Sequence, residues 1–82
     1  MLQEKVEESL KRARTQASEM LSHQSDLFSV LHTLDAGIKY GDENEACLTA
    51  EARKYKSQLH EMRSICMHCL VRAVFVLRMM KM

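Results

Sequence analysis

The chain has no proline and no tryptophan, only two glycines, and an aromatic complement of two Phe and two Tyr. Each scarcity removes a class of protein. The absence of proline over 82 residues is itself a helix signal, because proline is the strongest helix breaker. With so few glycines there is no Gly-rich phosphate loop, and neither G-x-S-x-G nor H-E-x-x-H occurs. The aromatics are too sparse and too far apart to stack on successive bases. Charge of one sign is also missing. Twelve Lys and Arg against eleven Asp and Glu leave +1, without the basic excess of a non-specific polyanion binder, so a nucleic-acid partner is disfavoured.

Long hydrophobic runs are scarce as well. The strongest spans Ile65 to Met80 and is interrupted by His68, Arg72 and Arg78, which makes it too short and too charged for a membrane span. The opening Met1-Leu2-Gln3-Glu4-Lys5 lacks the apolar core of a signal peptide. Three cysteines, Cys47, Cys66 and Cys69, make an odd set with no disulfide-like framework. That number suits a reducing compartment, so a cytoplasmic or nuclear location is expected.

What is present is apolar and helical. Apolar residues make up 46% of the chain, too many for a typical disordered tail. The two glycines, Gly37 and Gly41, lie just before the polar run Asp42-Glu43-Asn44-Glu45. Gly41 suits the left-handed residue that closes a helix, and Asp42 with Glu45 resembles a capping box for the next one. The pattern predicts one domain over 1–82, with a helix over 2–39, a turn at 40–44 and a helix over 45–80.

Hydrophobic spacing specifies the kind of helix. Val6, Leu10, Ala13, Ala17, Met20, Gln24, Leu27, Leu31, Leu34 and Ile38 alternate in steps of four and three. Leu48, Ala52, Tyr55, Leu59, Met62, Cys66, Cys69, Ala73, Val76 and Met80 do the same. Such spacing, over roughly four heptads on each arm, is that of a coiled-coil seam. Folded at the turn, Ile38 meets Leu48, Leu34 meets Ala52, Leu27 meets Leu59 and Ala13 meets Ala73. The expected fold is therefore all-α: an antiparallel coiled-coil αα-hairpin. Gln24 is the polar break in its first seam, and Tyr55 is a core ring with its hydroxyl at the rim.

A lone hairpin should be polar away from its seam, and this one is not. Leu21, Phe28 and Val30 flank the first seam. Ile65, Met67, Leu70, Val71, Val74, Phe75, Leu77 and Met79 flank the second. A helix apolar nearly all round is normally buried, and one partner helix covers only one side. The sequence thus predicts that two hairpins dimerise into a four-helix bundle, with Leu21, Phe28, Ile65, Leu70, Val74 and Leu77 forming the interface. The function expected is a non-enzymatic, coiled-coil homodimerisation or scaffolding module, here as a segment of a larger protein. The alternative is an adaptor segment whose apolar C-terminal helix is completed by a helix of another protein.

Cys66-Met67-His68-Cys69 is the one arrangement that resembles a metal or redox site. Both cysteines fall on seam positions in mid-helix, and His68 points away from them, so they are read as small core residues. No catalytic, cofactor-binding or metal-binding residue is assigned. Glu4, Glu7, Glu8 and Glu19 are read as a solvated face. Folding at 40–44 would also bring Lys11, Arg12 and Arg14 near Arg72, Arg78 and Lys81, making one end basic.

Overall fold

The computed structural model describes residues 2–23 and 26–80. Gln24, the predicted seam break, and Lys81, part of the predicted basic end, lie outside the described residues. The described chain is all-helical: α1 (Leu2–Ser22), α2 (Leu27–Glu43), a short 3-10 turn (Glu45–Cys47) and α3 (Ala50–Met80). The molecule is elongated, 56 × 23 × 15 Å.

The predicted helix over 2–39 is corrected by this arrangement, because its residues form two helices that fold against each other. Thr33 donates to Met20 at 3.4 Å, and Gly37 lies against Ala13. The physical reason lies in the described polar residues that flank the break, Ser22, His23 and Asp26. Such side chains compete with the helix for backbone hydrogen bonds. Asp26 then restarts the chain as an N-cap: its carboxylate accepts from the Phe28 amide at 3.0 Å and from the Ser29 hydroxyl at 3.3 Å.

The predicted turn is corrected too. Gly41 is a buried residue inside α2 and not its terminator. Helix α2 runs to Glu43 and is closed by Asn44, whose backbone and side-chain N–H groups both reach the Tyr40 carbonyl. Nor do Asp42 and Glu45 cap α3. Thr49 does, its hydroxyl accepting from the Ala52 amide at 3.0 Å. Because α2 runs on to Glu43 and α3 starts only at Ala50, the connection lies further along the chain than predicted and the α2–α3 register shifts. Leu59 lies beside Gly37, and Arg63 reaches Asp35 at 2.6 Å. The expected pairing of Leu59 with Leu27 is not formed.

The result is an up-down-up bundle. Helix α2 runs antiparallel to both neighbours, while α1 and α3 run parallel, tied by Thr49 to Glu7 at 2.6 Å and Arg14 to Gln58 at 3.0 Å. The core contains Val6, Leu10, Ala17, Val30, Leu31, Leu34, Ile38, Leu48, Ala52, Leu59 and Cys66. All but Val30 are seam positions. Val30 is completely buried because the central helix faces two neighbours and needs a wider apolar stripe. Gly37 permits a close approach. A Cβ there would stand 2.9 Å from the Ala13 Cβ and 3.1 Å from a Leu59 methyl.

Parallel α1 and α3 also correct the predicted basic end. Lys11, Arg12 and Arg14 sit beside the start of α3, away from Arg72 and Arg78. Arg14 lies over the half-buried Tyr55 ring at 4.7 Å, and Arg12 pairs with Glu8 on its own helix at 3.5 Å.

Candidate interaction surface

At about 1.5 Å per residue, the 31 residues of α3 extend ~46 Å, whereas the 21 of α1 and 17 of α2 reach ~32 and ~26 Å. The three cannot end together. Their lower ends are aligned by the Glu7–Thr49 and Asp42–Lys56 contacts, so the excess emerges at the top. From Val71 onward every described residue of α3 is exposed.

The spacing of the buried stripe does not change where the cover stops. Ala52, Leu59 and Cys66 recur at heptad intervals and are buried. The next two members, Ala73 and Met80, are exposed. Cys66 is 2% exposed and Leu77 60% exposed, although both lie towards the bundle side of the helix. The open stripe is therefore core surface that no described residue above α1 and α2 meets.

Two shallow grooves mark this surface. One, of about 360 Å³, is lined by Phe28, Leu31, Met67, Leu70, Val71 and Val74, joining the start of α2 to α3. The other, of about 580 Å³, is lined by Cys69, Arg72, Ala73, Val76 and Leu77. Of the six predicted interface residues, Phe28, Leu70 and Val74 come together in the first groove and Leu77 enters the second. Leu21 and Ile65 are exposed but line neither. Phe28, at 71% exposed, is the most solvated aromatic beside the grooves. Ala73, Val76 and Met80, seam positions of the expected hairpin, are surface residues. Their seam spacing marks them as an apolar face and does not show that the face is uncovered.

Charge separates the two ends of α3. Its lower end is clasped by carboxylates: Lys56 Nζ is 2.6 Å from Asp42 and 2.8 Å from Glu45. The hydrogen bond from Lys56 holds each carboxyl below its ordinary range, and the same bonds, that to Asp42 first, raise the lysine. Beyond Glu61, α3 has no acidic residue, and Arg72 and Arg78 flank the apolar stripe.

The Cys-x-x-Cys pair is divided by the fold. Cys66 is buried and its thiol is pushed up, chiefly by burial, whereas Cys69 is exposed. Among the described residues, no group of three or more His, Cys, Asp or Glu gathers to hold a metal. Among those residues, no helix is long and apolar enough to cross a membrane. Comparison with family models, with curated proteins and with solved structures gives no match.

Proposed function

We propose that this chain is a non-enzymatic self-association module, in which the uncovered face of α3 is completed by a second copy. One observation carries the reading: a single heptad stripe that is core at Ala52, Leu59 and Cys66 and bare at Ala73 and Met80. Burying a Leu or Val side chain is worth ~1.5–3 kcal/mol, so Val74, Val76 and Leu77 together represent a substantial driving force for association. The grooves are apolar and shallow, with no convergent set of titratable groups, which favours binding over catalysis. Dimerisation would couple two copies of whatever polypeptide the module belongs to, as a scaffold element does.

The test is molar mass by light scattering, from low micromolar to near-millimolar concentration. The wild-type chain is expected to approach twice its monomer mass. Val74→Glu with Leu77→Glu is expected to remain monomeric with its helical circular dichroism intact. A wild-type chain that stays monomeric across that range overturns the reading and moves the surface to a different protein partner.

A further inference from the structure

The direction and register of the association can be argued from the shape of the open stripe. This step rests on the self-association just proposed. The stripe faces the bundle axis, directly above the ends of α1 and α2. A partner helix seated on it occupies the space those two helices leave. Were that partner helix parallel to α3, its earlier residues would run down into α1 and α2, where no room exists. Only a helix entering from the free end, antiparallel to α3, fits. The space it enters is as long as the open stripe, about 17 Å from the exposed Cys69 to Met80, and the open stripe of a second copy has that same length by identity.

We propose that two copies pair antiparallel through residues 69–80 of α3, about a two-fold axis level with Val74 and Phe75. In this register Ala73 faces the partner's Val76, and Cys69 faces the partner's Met80. Small residues thus lie opposite larger ones in both layers. At roughly 60–120 Å² for each buried apolar side chain, the two stripes together remove about 1,000 Å² from water, the lower limit for a specific interface.

Charge agrees with this register. Arg72 and Arg78 lie on opposite rims of the stripe. Antiparallel pairing brings the Arg72 of one chain level with the partner's Arg78 but on the other rim, so those two charges stay apart, while each Arg72 shares its rim with the partner's Arg72 about 7.5 Å further along the axis. The Asp35–Arg63 and Asp42–Lys56 contacts fix the level of α2 against α3. Continued upward, they set Asp26 at about the level of residue 72. The partner's Arg78 arrives there on the α2 side. Each dimer therefore gains two pairs between Arg78 of one chain and the partner's Asp26. No acidic residue on the upper part of α3 competes for the arginine.

The experiment uses the full chain with Met80→Cys, mild oxidation and mass spectrometry of the linked peptides. The expected product is a bridge from Cys69 to the new thiol at position 80 of the second chain. Within one chain these positions are about 16 Å apart along the helix, which rules out an internal bridge. Wild-type chain should form little Cys69–Cys69 bridge, since the two thiols are then a similar distance apart. A dominant Cys69–Cys69 bridge, or a dimer that gives no bridge to position 80, overturns the register while leaving self-association standing. A chain that is monomeric before oxidation overturns self-association itself. Independently, Arg78→Glu should raise the dimer dissociation constant roughly tenfold, through two pairs per dimer. In an Asp26→Asn background, which retains an N-cap side chain, the same change should cost less than about threefold. An equal penalty in both backgrounds overturns the contact with Asp26 and the register that contains it.

Discussion

The lower and upper parts of α3 obey one hydrophobic rule and have opposite fates. Between Ala52 and Cys66, each heptad position is buried against α1 and α2. From Ala73 to Met80 the same positions meet solvent. Local propensity does not separate the two parts, since both are regular helix. They differ in what stands opposite, and that depends on the lengths of α1 and α2. Apolar periodicity thus identifies a face that needs a partner, while chain geometry decides whether the partner is internal.

Matched truncations break this comparison most sharply. Leu59 is fully buried beneath Gly37, so Leu59→Ala removes core contacts and leaves a cavity. A loss of about 2–5 kcal/mol of folding stability is expected. Leu77→Ala should cost the dilute monomer little, within about 0.5 kcal/mol, and should appear as weaker association. Urea unfolding of both variants at low micromolar concentration, followed by circular dichroism, checks the contrast. Equal losses in the two variants would mean that the upper stripe is already covered within the monomer.

A smaller effect sharpens the description of the covered part. Gly37→Ala gains about 1 kcal/mol of helix propensity. Its new methyl, however, would stand 2.9 Å from the Ala13 Cβ and 3.1 Å from Leu59. The Ala13 Cβ is fixed to its backbone and cannot swing aside, so α1 and α2 must separate. Overpacking of this kind costs about 1–3 kcal/mol, which leaves a net loss of up to about 2 kcal/mol. Adding Ala13→Gly should recover most of it, and the double-mutant cycle by urea denaturation measures the recovery.

The same contrast explains how far the sequence could be read. Helicity and the excess apolar surface of α3 were legible, because each follows from composition and spacing, and ten of the seam positions are core. The fold-back between α1 and α2 was not. Leu10 and Leu34 occupy the same kind of stripe whether the chain runs straight or doubles back, since either arrangement buries that stripe. Gln24 kept the period intact and concealed the polar run around it. Asp26 was the overlooked signal: an N-cap residue followed at once by Leu27 and Phe28. Gly37 and Gly41 misled in the other direction. Their proximity resembled a turn, yet both serve close packing in α2, Gly37 against Ala13 and Gly41 against Leu10 and Lys56. Glycine does either job through the same missing side chain. For the surface, Phe28, Leu70, Val74 and Leu77 were found as excess apolar residues. Ala73, Val76 and Met80 were assigned a cover that the shorter first helices do not provide.

The smallest expected effect concerns what holds the lower part in place. Asp42 and Glu45 are both depressed from ordinary values of 3.8 and 4.5, chiefly by hydrogen bonds from Lys56. A carboxyl lowered in the folded state contributes stability above its unfolded value and loses it as pH falls through the folded value. Lys56 is raised from 10.5, so its contribution is complete below that pH and is lost as pH rises through the raised value. The clasp therefore stabilises the fold across the neutral range and fails at both extremes. Lys56→Met should flatten both limbs of a plot of urea midpoint against pH, whereas Asp42→Asn with Glu45→Gln should remove most of this contribution to the acid limb. Both carboxylates are largely solvated, so salt should screen the effect, and the difference between variants should shrink at high ionic strength. An acid limb unchanged by either variant would transfer the anchoring of α3 chiefly to the apolar contacts of Leu48, Ala52, Leu59 and Cys66. The lower part would then be held by the same force that leaves the upper part in need of a partner.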